Sequence, residues 1–384
     1  MVKLVQKSLD SWQEINTKAE NNKEMHIKKS LFKTGETRVW RTYSGGAALD
    51  RWHGREGENG MFPEDWAAST TRASNPGREE IVEGLSRVVS MEGEPYLADV
   101  IAQDPEGFFG AAHLAAFGAK AGFLVKLIDA GERLTIQVHP DKKYAKEILG
   151  SDYGKTESWY ILGANRDGIQ PSIYLGFKPG VTREMWKDIF DRQDIPAMLD
   201  CLHKIPVQAG ECYFISAGVP HAIGEGCFLA EIQEPTDYTM RTELVTPAGL
   251  RIHENQCHQG VGYEKMLDCF HYDGRSLEET IALWRSEPMP VCRAEGGCID
   301  SLIDERQTKL FSMRRLQVEG CLAIEPQGCM SILMVLCGSG SIRLDGDEMP
   351  VAQGDVIVSR ADCPALCVRA DEPLTILQSF PPKA

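Results

Sequence analysis

The stretch FLVKLIDAGERLTIQVHPD, residues 123–141, sets the texture of the whole chain. Its two apolar runs are short, mix leucine with β-branched residues, and are parted by the turn and charged residues of DAGER. That punctuation belongs to antiparallel strands; a helix would repeat its apolar positions every three to four residues. The pattern returns in ESWYILGA (157–164), PSIYLGF (171–177), GECYFISAG (210–218) and CFLAEIQE (227–234). It appears again across 331–380, where GSG, DGD and QGD mark turns. Together these runs predict an all-β chain built as a sandwich or barrel, with helical additions. One addition is expected over residues 182–202, where Thr182 is an N-cap followed by acidic residues. The other is expected over 276–284, where Ser276 and Glu279 have capping-box spacing.

Forty-one Lys and Arg against 56 Asp and Glu leave a formal charge of −15 over 384 residues. Such a chain repels a phosphate backbone at long range, which argues against nucleic acid as a partner. A single phosphorylated metabolite can still be held by a few local cations. The first thirty residues lack the apolar segment of a secretory leader, and the longest apolar run, 332–337, is far short of a membrane span. All twelve cysteines lie between Cys201 and Cys367 without a Cys-x-x-Cys pair. That scatter predicts reduced, mostly buried thiols and a cytoplasmic protein.

Two of the nine histidines sit in informative places. In LTIQVHPD, Gln137 and His139 are two residues apart, and the strand period turns both to one face. Glu157 heads another strand eighteen residues on, and His221 follows a Gly-Pro turn sixty-four residues later. Two imidazoles and a carboxylate converging in a barrel interior suit Zn²⁺, with Gln137 or water beside them and a position open to substrate oxygens. An isolated histidine is ordinarily a packing or surface residue; His26, His53, His113, His203, His253, His258 and His271 read that way.

The string from Gly210 to His221 resembles the second cupin motif, G(x)5PxG(x)2H, with Ser216 at the proline position. Laying Gly354–Asp362 on the same motif puts Ala365 at the histidine position, and no histidine follows His271. The C-terminal unit therefore resembles a cupin barrel without metal ligands.

LVKLIDAGERLTIQVHPD, GKTESWYIL and AGVPHAIGEGCFLAEIQEPTDYTMR resemble the zinc-dependent type I phosphomannose isomerases over roughly residues 120–245, and more weakly beyond. The resemblance implies two cupin jelly-roll barrels. Residues 1–30 would be an N-terminal arm or helix, 31–250 the catalytic barrel with a helical insertion near 181–204, 251–300 a connector, and 301–384 the metal-free barrel. It implies one zinc per chain on Gln137, His139, Glu157 and His221, and a pocket holding Lys126, Lys155, Glu231, Asp237 and Arg241. Thr135 keeps the hydroxyl of a usual serine on the substrate side. The reaction implied is interconversion of mannose 6-phosphate and fructose 6-phosphate through a cis-enediol, with Glu231, Asp237, Lys155 or a zinc-bound hydroxide as the base. The front segments depart from the family: its Trp-Gly-Gly becomes Ser44-Gly45-Gly46, and its Glu-x-Trp-Glu-x-Ser becomes Glu64-Asp65-Trp66-Ala67-Ala68-Ser69. Three other readings follow from the same residues: an Fe²⁺ cupin oxygenase, a related isomerase of another sugar, and a non-catalytic sugar-binding cupin.

Overall fold

The strand Leu124–Asp129 is buried along its whole length. Val125 and Leu127 pack into one apolar cluster and Ile128 into another on the opposite face, as the two-residue period of a strand requires. A strand apolar on both faces marks the middle of a layered core, and the layers build outward from it. The computed structural model of the chain describes residues 30–344 and 347–384. The arm expected over 1–30 lies, but for Ser30, outside the described residues.

Four antiparallel sheets frame the described residues. In the first unit, a seven-stranded sheet runs in the order Arg285–Ser286, Cys212–Ile215, Glu157–Ala164, Cys227–Gln233, Leu124–Asp129, Glu64–Ala67, Arg38–Val39. A five-stranded sheet faces it: Met240–Arg241, Gln137–Val138, His221–Ile223, Ser172–Phe177, Leu202–Pro206. Between the two lie Ile128, Trp159, Ile161, Ile173, Leu175, Ile215 and Leu229. In the second unit a seven-stranded sheet and a four-stranded sheet enclose Leu316, Leu333, Val335, Ile357, Val368 and Ile376.

The two large sheets share a further cluster on their outer faces. Val125, Leu127, Ala230 and Ile232 of one meet Met313, Ile332, Met334, Val358 and Leu377 of the other, with Phe108 and Phe109 of a short helix between. The chain ties the units together at its start as well. Leu31–Thr34 pairs with Val356–Ser359 and so joins the C-terminal sheet. Within the stretch read as a connector, Met289–Ala294 and Gly297–Ile303 are strands at the far edge of that same sheet.

The expected helices have the expected caps. Thr182 accepts from the Met185 N–H at the start of Arg183–Asp191, and a second helix, Ile195–Asp200, follows after a break. Trp186, Ile189, Phe190 and Met198 of this pair cover the outer face of the five-stranded sheet through Ile136, Val138 and Ala222. Ser276 and Glu279 close a capping box on Leu277–Trp284. The expectation of reduced thiols fails at one pair. Cys321 and Cys367 form a disulfide between the neighbouring strands Cys321–Ile324 and Leu366–Ala370; the other ten cysteines are in no disulfide. Among the described residues, no helix is long and apolar enough to cross a membrane.

Phe108 tests the joint between units. It is fully buried, stacks on Phe32 at 5.3 Å, and lies under the Arg360 guanidinium. Phe108→Ala should cost about 3–5 kcal/mol, the usual range for a large aromatic deleted from a core. Urea unfolding should show this as a lower midpoint with an unchanged slope; a loss below about 1 kcal/mol would mean that the joint is not packed.

Candidate metal centre

Strand alternation decides which polar side chains are driven into the first unit. Val125 and Leu127, Ala230 and Ile232 pack backward between the large sheets, so Lys126 and Glu231 must point inward. They are direct cross-strand partners, and Trp66 and Trp159 flank them on the next strands out. On the opposing sheet Ile136 and Val138 pack against the helical pair, which turns Gln137 and His139 inward. His221 is turned the same way, because Ala222 faces the helices and Ile223 the core between sheets. Gln137 stands directly opposite both His221 and Arg241 in the register.

The inward side chains converge. His139 Nε2 lies 3.1 Å from Glu157 Oε2 and 3.2 Å from His221 Nε2, which is 3.4 Å from Glu157 Oε1. The Gln137 amide is 3.2 Å from His221 Nε2. His139, Glu157 and His221 are all buried. Each imidazole is oriented by a backbone carbonyl: Tyr238 O is 2.8 Å from His139 Nδ1, and Val219 O is 2.9 Å from His221 Nδ1. A carbonyl only accepts, so each Nδ1 carries the proton and each Nε2 presents a lone pair to the shared point. Glu157 Oε1 is buried there with no donor. Two imidazole nitrogens and a carboxylate turned to one buried point are the donor set of a metal site.

The charges around the point keep the ligands in binding form. Burial, and then the Lys155 charge, push His139 down to about 3, and burial lowers His221 as well. Burial would raise Glu157, but Lys155 and His139 outweigh it and hold the carboxyl well below its usual range. The Lys155 ammonium donates to Glu157 Oε2 at 2.7 Å and to His139 Nε2 at 2.9 Å. Burial disfavours its charge, yet Glu157 and Glu231 hold it protonated above its ordinary value.

A cleft partly open to solvent lies over this group. Lys126, Thr135, Gln137, Lys155, Glu231, Asp237 and Arg241 all line it. Lys126 Nζ sits 3.4 Å from Glu231 Oε1 and 3.7 Å from Glu64 Oε2. Trp159 Nε1 donates to Glu231 Oε2 at 3.0 Å, while Oε1 has no donor. Burial, and then Glu157, raise the Glu231 carboxyl above its ordinary value. Arg241 donates to the carbonyl of Gln256 at 2.7 Å and faces no carboxylate within ion-pair reach in the described residues. Burial lowers its pKa, but a guanidinium still stays charged at neutral pH.

The structure thus brings all ten residues singled out from the sequence to one cleft and its floor. It also adds groups that sequence reading passed over. Arg41 and Tyr43 line the same cleft, joined to Glu64 of the front segment; Arg133 lines it too, paired with Glu243 at 2.6 Å. Glu64 and Trp66 share a face by strand alternation, which was the available signal. A second cluster, Glu36, His53 and Asp65, also gathers possible ligand atoms. Its Glu36 carboxylate is already taken by Arg38 and Arg55, and Asp65 by the Thr37 N–H, so it is an ion-pair network.

A family model described as the type I phosphomannose isomerase catalytic domain matches residues 51–159, a span that includes Gln137, His139 and Glu157. A probable mannose-6-phosphate isomerase of Bacillus subtilis is 35% identical over 238 residues, 61% of this chain and 69% of the relative. A mannose-6-phosphate isomerase of Streptococcus mutans is 28% identical over 254 residues, 65% of this chain and 72% of the relative. The crystal structure of the Bacillus subtilis mannose 6-phosphate isomerase superposes with a TM-score of 0.72 at 21% identity, covering 91% of this chain and 99% of that one. The last is a likeness of fold.

The buried imidazoles make metal-free stability pH-dependent. His139 titrates near 6.5 in the unfolded chain and at about 3 when folded. The unfolded state therefore binds more protons across that window, so stability is full above about pH 6.5 and is lost as pH falls toward 3. Melting of chelator-treated protein should drop between pH 7.5 and 5, and His139→Gln should weaken that drop. A melting temperature independent of pH over this range would contradict the burial of neutral imidazole.

Proposed function

Because the chain belongs to the type I phosphomannose isomerase family, we propose that this cleft interconverts mannose 6-phosphate and fructose 6-phosphate over a single zinc ion. The observation that carries the reading is the pair of carbonyl-oriented imidazoles whose Nε2 lone pairs meet the Glu157 carboxylate beneath a cation-lined cleft. Gln137, His139, Glu157 and His221 would hold the metal; nitrogen and carboxylate ligands with a neighbouring amide suit Zn²⁺. The units are read as two cupin barrels, the first catalytic and carrying the helical insertion near 181–204, the second without metal ligands. Strand 31–34 and strands 289–303 go with the second. Six buried cysteines outside any disulfide support a cytoplasmic setting, with Cys321–Cys367 as the exception.

When bound, zinc supplies Lewis-acid polarisation of substrate oxygens. The chain's own groups move the proton and hold the charge. Glu231 is the base we assign. Glu231 lines the cleft, its Oε1 accepts no hydrogen bond although Lys126 Nζ lies 3.4 Å away, Trp159 fixes the other oxygen, and its raised pKa moves it toward the range where a base works near neutral pH. It would take the C2 proton of the aldose and return it to C1 of the cis-enediol. Lys155, held protonated by its carboxylate neighbours, is a donor to a substrate oxygen and not a base. Asp237 has both carboxylate oxygens engaged by the Arg41 fork, so it is not the base we assign. Arg241, with no carboxylate partner, is the cation left for an enediolate oxygen or the phosphate. Lys126 and the Thr135 hydroxyl complete the substrate side.

Glu231→Gln is isosteric and should lower kcat about 10²–10⁴-fold with zinc content unchanged, the usual weight of a general base. Arg241→Lys should lower kcat on the order of 100-fold, by analogy with loss of one oxyanion donor. Assays on mannose 6-phosphate, mannose and a panel of other sugar phosphates, run beside metal analysis, check both. Full kcat in Glu231→Gln would remove it as the base. Equal catalytic efficiency on mannose and mannose 6-phosphate would contradict the phosphorylated substrate.

A further inference from the structure

We infer that Arg41, on the front segment, is a positioning residue for the metal ligand His139, acting through the loop that joins Cys227–Gln233 to Met240–Arg241. The inference rests on the metal centre proposed above. Arg41 does not touch a ligand. Its Nη1 and Nη2 lie 3.1 Å from the two carboxylate oxygens of Asp237, a two-pronged pairing across 196 residues of sequence. The next residue, Tyr238, supplies the carbonyl 2.8 Å from His139 Nδ1. The residue after that, Thr239, supplies a carbonyl to Arg241 Nη1 at 3.5 Å and to the Gln259 amide at 3.1 Å. One short loop thus fixes the tautomer and ring orientation of His139 and touches the unpaired guanidinium.

Arg41 is itself firmly seated. Its Nε is 2.9 Å from Glu64 Oε2, and Glu64 also accepts from Tyr43 OH at 2.8 Å and Trp66 Nε1 at 2.7 Å. The guanidinium lies 5.0 Å from the Trp66 ring, with Nη1 also donating to Asn75 Oδ1 at 3.1 Å. Only 7% of the residue is exposed. Lysine in its place keeps the charge but has no planar fork, so it cannot bridge Glu64 and both Asp237 oxygens at once.

Metal release separates this role from simple substrate contact. Zinc-loaded wild type, Arg41→Lys, Asp237→Asn and the double variant are mixed with a chromophoric chelator, and the release rate is followed. Each single change should speed release about tenfold, the low end for an outer-shell partner of a metal ligand. The double should be no faster than either single, because both break one link. The same variants should lose kcat along with zinc retention. Equal release rates in all four proteins, with only KM raised in the variants, would overturn the inference and leave Arg41 as a substrate contact. Multiplicative effects in the double would also overturn it. Should Arg41→Lys fail to fold by circular dichroism, Asp237→Asn, which leaves the Arg41–Glu64 pair intact, carries the test alone. A wild type that holds no zinc would instead overturn the metal centre itself.

Discussion

Everything functional in this chain depends on which nitrogen of two buried imidazoles is protonated. The Tyr238 and Val219 carbonyls take the Nδ1 hydrogens, so the Nε2 lone pairs of His139 and His221 face one another across 3.2 Å. Reversing either tautomer would point an N–H into the group and abolish a ligand. Burial makes the choice stick: a ring pushed down to about 3 cannot gain a second proton near neutral pH. The carbonyls come from two different loops, and the sheets behind them hold those loops at the right height.

The cost of gathering so much charge inside the first unit is met by pairing. Glu157, Glu231 and Glu64 stand among Lys155, Lys126 and Arg41, each within 4 Å of at least one opposite charge. Removing one member would leave its partner buried and uncompensated, which is far costlier than the pair is stabilising. Arg241 breaks the pattern, because among the described residues its guanidinium donates to the backbone carbonyls of Thr239 and Gln256 and pairs with no carboxylate. A half-buried cation without a carboxylate in ion-pair reach, in a cleft whose other charges are paired, is the place where an anionic substrate gains most.

Much of this was legible in the sequence because strands have a period of two. Gln137 and His139 had to share a face, and so did Lys126 with Ile128, once the apolar neighbours between them were assigned to the back of the sheet. Short punctuated runs gave the sheets, and Thr182 and Ser276 gave the helix starts. What escaped was whatever depends on distant pairing. Arg41 meets Asp237 across 196 residues, and no local pattern announces that. Leu31–Thr34 joins a sheet whose other strands lie near the C-terminus, and Cys321 meets Cys367 only because of the register of two neighbouring strands.

The central claim is that isomerisation takes place at one metal-ligating group in the first unit. The most direct test is to strip the protein with a chelator and titrate zinc back while following conversion of mannose 6-phosphate. Activity should be absent at the start, rise linearly and level off at one equivalent per chain. Substantial activity in the stripped protein, or a plateau only at two equivalents, would contradict the account.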